Sequence, residues 1–283
     1  MPVISTNNAA NAALNYLNIN SSQETNKLSQ LASGSRIVQA SDDAAGLAIG
    51  TQLNANAAVY SQDSVNITQG SAILQSTDGA LAQISNVLQR MMALATSAAS
   101  GQVTNAQRSQ DINTEYKQLK GEITSIVSST TYAGQALLTG SFLSNVKFLV
   151  GTLSSNFITL SLATVSVGSN TSTLSTALLG KSGSSVSTAV LALSAMAKVG
   201  SAINMITKDR ALVGAYESEF NFSGQDISTN IQNITAAASV IMDADVASVK
   251  ASLSANDVKT QASVAALTQA AQLPQELLKL LQS

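Results

Sequence analysis

Apolar residues recur at helical spacing through most of the chain, and both ends carry one apolar stripe each. At the front, a seven-residue repeat places Val3, Asn7, Ala10, Leu14, Leu17, Ser21, Glu24, Leu28 and Leu31 on one seam, apolar with polar interruptions. At the back, Leu253, Asp257, Thr260, Val264, Leu267, Ala271, Pro274, Leu278 and Leu281 do the same. Each end reads as half of a helical interface. Gly34 and its flanking serines predict a break after the first helix, and Ser41-Asp42-Asp43 offers a cap and a negative first turn for the next.

From Ile67 the period is clean. Ile67, Leu74, Leu81, Leu88 and Ala95 alternate with Gly70, Thr77, Ile84, Met91 and Ala98, and Met91-Met92 fit as packing filler. A further helix carries Ile112, Leu119 and Ile126 on one line, with Tyr116 and Ile123 beside it, before residues 128–140 break the pattern. The middle then changes period: Val146–Val150 and Ile158–Leu162 are β-branched, aromatic and partly alternating, which predicts a hairpin within 142–167. Residues 166–188 are a Ser/Thr-rich connection. Helical spacing returns with Val199, Ile203, Ile206, Arg210, Val213, Glu217, Phe220, Gly224, Ile227, Ile231, Ile234, Ala238 and Ile241.

Prolines occur only at Pro2 and Pro274, so none between them breaks a helix, whereas Gly101, Gly121, Gly200 and Gly214 mark soft points. The expected fold is mainly α, an elongated antiparallel helical bundle or coiled coil with a small β-hairpin region. The expected organisation is terminal helices at 1–40 and 242–283 around a rod domain at 41–241.

Composition narrows the chemistry. Only 11% of residues are charged and the net charge is −2, a sparsely charged surface that favours self-association. No basic run tracks phosphates, so nucleic acid is not expected as a partner. With no cysteine and no histidine, disulfides, thiolate metal sites, histidine-ligated zinc and Ser-His-Asp catalysis are excluded. No cofactor, metal or enzymatic activity is expected. The first basic residue is Lys27 and the opening MPVISTNNAA is polar, so no cleavable signal peptide is expected. No uninterrupted apolar run approaches the roughly 18 residues of a membrane span, so no membrane insertion is expected.

Asp42 and Asp43 admit two readings, a carboxylate pair for catalysis or metal and a helix cap. Adjacent helical residues point about 100° apart, which favours the cap. Arg36 sits at the first boundary, either bridging subunits or simply exposed, and Asp243 and Asp245 flank the last boundary as caps.

Leu31-Ala-Ser-Gly-Ser-Arg36-Ile37, followed by Ala40-Ser-Asp42-Asp43-Ala-Ala-Gly46-Leu-Ala-Ile49, closely resembles the N-terminal signature of bacterial flagellin. Four more segments fit in order: Gln75 through Arg90, Tyr132-Ala-Gly134, Asp209 through Ala215, and Gln269 through Gln275. The resemblance covers roughly residues 1–165 and 195–283, and the chain resembles the short flagellins of alphaproteobacteria more than the long enteric type. It implies a subunit that polymerises with itself, or mixed with other flagellins, into a flagellar filament for motility. Terminal helices would line the filament core, a rod would lie outside them, and no substantial outer domain would follow.

The resemblance also implies unfolded export through the flagellar type III apparatus, an export chaperone on the C-terminal helix around Val264 to Leu281, and assembly beside filament cap and hook-junction proteins. The polymerisation seams would be Leu14, Leu17, Leu28, Leu31, Val264, Leu267, Leu278 and Leu281. Arg36, Asp42, Asp43 and Arg90 are candidate inter-subunit or boundary contacts. In flagellins detected by an animal innate receptor, an arginine and a Glu/Leu pair carry recognition, and Arg90, Glu115 and Leu119 match them. Met92-Ala93 depart from the charged pair often found there, and the ending Leu280-Leu281-Gln282-Ser283 lacks a terminal arginine. Serines and threonines of 166–188 become candidate O-glycosylation sites. A hook–filament junction protein shares the terminal blocks. A sensory coiled coil shares the heptads, but lacks the membrane anchor and glutamate-rich tip of that class.

Overall fold

The structure is a computed structural model and describes residues 7–139, 145–153, 155–160 and 185–282, with 273–282 as helical backbone alone. Val3, the side chains of Leu278 and Leu281, and nearly all of the Ser/Thr-rich connection lie outside the described residues. Helix α1 spans Asn8–Ser33, α2 Ala44–Ala99, α3 Asn105–Gln107, α4 Asn113–Ser129, α5 Ala189–Met242 and α6 Val246–Gln282.

Local chemistry sets the ends. The Asn7 side chain accepts from the Ala10 N–H at 3.0 Å, capping α1. Gly34 ends that helix at φ +70°, a left-handed conformation that glycine adopts without a Cβ penalty, and its N–H donates to the Gln30 carbonyl. Asp43 caps α2 by accepting from the Gly46 N–H at 2.8 Å. Asp245 caps α6 by accepting from Ala247 N–H at 3.0 Å.

The chain forms two compact units, one from Met1–Ala57 with Gln232–Ser283 and one from Ala58–Ile231. In the second unit, α2 turns inward the two interleaved lines that its heptads predict: Ile67, Leu74, Leu81, Leu88 and Ala95, with Thr77, Ile84, Met91 and Ala98, are all buried. Gly224 faces Ile67, Gly70 faces Phe220 and Gly200 faces Met92, so α2 and α5 run antiparallel.

On α5 the inward register differs from the expected one at alternate positions. Ala202 and Asp209 are buried, while Arg210 faces outward and grips Asp78 through two hydrogen bonds of 2.8 and 3.0 Å. At 202/203 and 209/210 the smaller side chain of the two is the one buried. On α4, likewise, Tyr116, Ile123 and Val127 are fully buried, and the Ile112–Leu119–Ile126 line is half-buried against the core. Gly121, Gly200 and Gly214 lie within unbroken helix; of the four expected soft points, Gly101 alone sits at a helix end. By length and composition α5 is apolar enough to cross a bilayer, with mean hydropathy 1.6 over its most apolar window. Its Val199, Ile206, Val213 and Phe220 are instead packed in the core.

The hairpin is present as β3 (Val146–Leu149) antiparallel to β4 (Phe157–Leu160), pairing Val146 with Leu160 and Phe148 with Ile158. A smaller hairpin, β1 (Thr131–Tyr132) and β2 (Gln135–Ala136), was not expected. Its turn places Ala133 and Gly134 at φ 48° and 80°, the two positive values of a tight hairpin turn. Between α2 and α4, a π-helical turn at Arg108–Ile112 brings in a buried arginine. The Arg108 guanidinium donates to the carbonyls of Ala98, Ser100 and Val103 and to Asn105 Oδ1, satisfying acceptors left open where α2 ends.

Two carboxylates are buried in this unit. Burial pushes Asp63 up, and its Oδ2 has no partner among the described residues; burial pushes Asp209 up to about 6. Because the folded Asp209 holds its proton more tightly than the unfolded one, its stabilising contribution is complete below the ordinary value of 3.8. It is lost as pH rises through about 6. Asp209→Asn should therefore gain stability over the parent between pH 4 and pH 8, by on the order of 3 kcal/mol, in paired urea titrations. Gly70→Ala should lower the urea-derived stability by about 1–3 kcal/mol, because a Cβ there collides with the Phe220 ring.

Candidate functional site

The first unit pairs α1 with α6 and joins them through the two helix breaks. Their facing line on α1 is Ala10, Ala13, Leu17, Asn20, Glu24, Lys27 and Leu31; on α6 it is Leu253, Asn256, Thr260, Ser263, Leu267 and Ala270. Polar rungs cross between them. Asn7 Nδ2 donates to the Ala270 carbonyl at 2.6 Å, Asn20 Nδ2 to Ser263 Oγ at 2.8 Å, and Thr260 Oγ1 to Glu24 Oε2 at 2.9 Å. Descending partners along α6 make the pair antiparallel.

Leu17, Leu31 and Leu267 thus face the partner helix, half-buried, as the sequence seams place them. The alternate seam positions do not. Ala13, Asn20, Lys27, Asn256 and Ser263 take the inward places that the sequence reading gave to Leu14, Ser21, Leu28, Asp257 and Val264. Leu14 stays 45% exposed, Leu28 56% and Val264 46%, and α1 buries no residue fully. Hydrogen bonds account for part of the choice: Asn20 and Ser263 bond each other across the pair, which Val264 in the place of Ser263 cannot do. No feature of the repeat itself separates the two choices.

The helix breaks are stitched to each other. Ser35 and Asp243 form an antiparallel bridge, the Arg36 N–H donates to the Met242 carbonyl at 2.7 Å, and the Ala244 N–H donates to the Gly34 carbonyl at 3.0 Å. The Arg36 side chain spans the junction. Its Nε and Nη2 donate to the Ile241 carbonyl at 3.1 and 2.9 Å, and Nη2 lies 3.3 Å from Asp43 Oδ2. A cation there complements the carbonyl end of α5 while tying it to the cap of α2.

Asp42 Oδ2 accepts from the Val38 and Gln39 N–H groups, and Gln30 Nε2 donates to the Arg36 carbonyl. Ile37 is buried beneath this network, and Gly50 lies close against Met242. Both aspartates therefore hold backbone. Among the described residues no cluster of three or more metal-binding side chains exists. Ser35 and Gln30 join the clamp without having been singled out, since single polar residues near a break carry no distinguishing pattern.

In the second unit, Arg90 pairs with Glu115 through Nη2 at 2.7 Å and Nε at 2.8 Å, joining α2 to α4, and Leu119 one turn on is half-buried. The structure thus brings Arg90 and Glu115 together and leaves Leu119 packed against the core.

Sequence profiles of the bacterial flagellin N-terminal and C-terminal helical regions match residues 4–142 and 196–281. The flagellar filament 30.7 kDa core protein of Treponema maltophilum is 33% identical over 99% of both chains.

This chain belongs to the bacterial flagellin family.

Flagellin of Halalkalibacterium halodurans is 32% identical over 99% of both chains, and flagellin of Bacillus subtilis is 31% identical over 98% of this chain and 99% of its own. The crystal structure of Bacillus cereus flagellin aligns over 62% of this chain and 94% of its own, with 26% identity and a TM-score of 0.49. Residues 31–49, inside the matched N-terminal region, build the stitched break. Arg36→Ala should speed amide exchange at Arg36 and Ala244 by about tenfold, equivalent to about 1.4 kcal/mol. The urea stability of the second unit should stay within about 0.5 kcal/mol of the parent.

Proposed function

We propose that this chain is a structural subunit that polymerises into a bacterial flagellar filament, outside the cell, through its terminal helices. Residues 1–40 and 242–283 serve as the inner filament core and 41–241 as the rod. The observation that carries the reading is the terminal pair itself. Within one chain it covers one line of each helix and leaves Leu14, Leu28 and Val264 largely exposed. Side chains of that size gain about 1.5–3 kcal/mol each on full burial, and neighbouring copies can cover them in an open, repeating contact.

Family membership supports a structural and non-enzymatic role. The same reading assigns export through the type III apparatus, a chaperone on the C-terminal half of α6 before export, and cap and hook-junction proteins as neighbours during assembly. Met92-Ala93 leave the Arg90–Glu115 pair without flanking charge, so innate-receptor contact at Arg90, Glu115 and Leu119 would be weakened.

Leu14→Asp and Leu28→Asp replace exposed residues, so monomer stability should change by no more than about 0.5 kcal/mol. Filament formation should be lost in sedimentation and negative-stain microscopy. Removing residues 1–30 or 254–283 should likewise leave a helical monomer that does not assemble. Filaments from either truncation would refute the reading.

A further inference from the structure

Methionine is the readily oxidised residue of this chain, which has six of them and no cysteine, histidine or tryptophan. A peroxide that meets the protein therefore reacts at a thioether. Among the described residues, Met91 is fully buried, and Met92, Met196 and Met205 pack against the core of the second unit. Met242 is placed differently. It is the last residue of α5, half-buried and two positions from Val240 at 84% exposure, and it belongs to the first unit at the stitched break.

Both the backbone and the side chain of Met242 hold that break. Its carbonyl accepts from the Arg36 N–H at 2.7 Å and from the Ser35 hydroxyl at 2.9 Å. Its side chain lies so close on Gly50 of α2 that a Cβ there would overlap both Sδ and Cγ. Gly50 is thus the seat of the thioether, and it ties the end of α5 to α2 by packing where Arg36 ties it by charge.

The seat suits sulfur and not a sulfoxide. An oxygen added to Sδ on the Gly50 side meets helix backbone, whose N–H groups are already bonded along α2. To be hydrogen-bonded it has to turn to water, and that lifts the side chain off the glycine. Losing the seat loosens the carbonyl that Arg36 and Ser35 hold, because both belong to one residue.

We propose that Met242 is a reversible oxidation site whose sulfoxide opens the stitched break. The reactant is a peroxide: one of its oxygens bonds to Sδ, the O–O bond breaks, the sulfur gives up two electrons, and the other oxygen leaves with both protons as water. A pair of methionine sulfoxide reductases, one for each epimer, restores the thioether. The site concerns the free chain and stands apart from the filament reading.

Full-length protein is treated with dilute hydrogen peroxide, and peptide mass spectrometry locates the added oxygen while hydrogen–deuterium exchange is read on the same sample. Chains oxidised at Met242 should exchange the Arg36 and Ala244 amides about tenfold faster, and treatment with both reductases should restore the slow rate. Met242→Leu keeps an apolar side chain of similar size, so its amides should be slow before peroxide and unchanged after it, with Met92, Met196 and Met205 still present. A sulfoxide at Met242 that leaves both amides slow overturns the proposal. So does a Met242 that stays reduced while Met92, Met196 and Met205 oxidise, or a Met242→Leu chain that opens with peroxide as the parent does. If Met242→Leu is open before any peroxide is added, the reductase step decides: slow exchange regained by the parent supports the site, and exchange that stays fast overturns it.

Discussion

A helix with a seven-residue repeat offers its neighbour one line of side chains, and an offset of one residue decides which side chains that line contains. In the terminal pair the inward line alternates Leu17, Leu31, Leu253 and Leu267 with Ala13, Asn20, Lys27, Asn256 and Ser263, so polar rungs interrupt the aliphatic contact between α1 and α6. Leu14, Leu28 and Val264 fall just outside it. A contact in which α1 buries no residue fully is a weak device for holding two long helices together, because each ordered residue costs about 1–2 kcal/mol of backbone entropy. The same offset leaves Leu14, Leu28 and Val264 exposed, the apolar surface we propose for joining neighbouring chains.

The second unit applies the rule with the opposite result. There α2 turns in isoleucine, leucine and methionine at both interleaved lines, and α5 answers with valine, isoleucine and Phe220, for which Gly70 leaves room. The core also carries the buried carboxylates of Asp63 and Asp209 and the guanidinium of Arg108, which makes four hydrogen bonds. Arg36 serves a different purpose in the first unit. It fastens the end of α5 to the start of α2 by way of a backbone carbonyl and a capping carboxylate, at the place where all four helical segments of that unit change direction.

Much of this was legible in the residues. The heptads of α2, the break at Gly34, the Asp43 cap and the β3–β4 hairpin follow from period, glycine and β-branching. The segment between Leu31 and Ile49, which carries the resemblance to flagellin, holds backbone and a helix cap through Arg36, Asp42 and Asp43. Register on α1, α5 and α6 was harder. Where two adjacent positions both fit a repeat, ranking by side-chain size selects Leu14 over Ala13 and Arg210 over Asp209, while the folded chain turns Ala13 and Asp209 inward. Arg108 and the Ala133–Gly134 turn were missed for another reason: a buried arginine is identified by the carbonyls around it, which are brought together only by the fold.

The central claim is that the terminal pair is held by its neighbours more than by itself. Hydrogen–deuterium exchange of the full-length chain, before and after assembly, tests it most directly. The account predicts strong protection of 67–98 and 199–231 in both states, and protection of 8–33 and 246–282 that appears only on assembly. Equal protection of α1 and α6 in the free and assembled protein would contradict it.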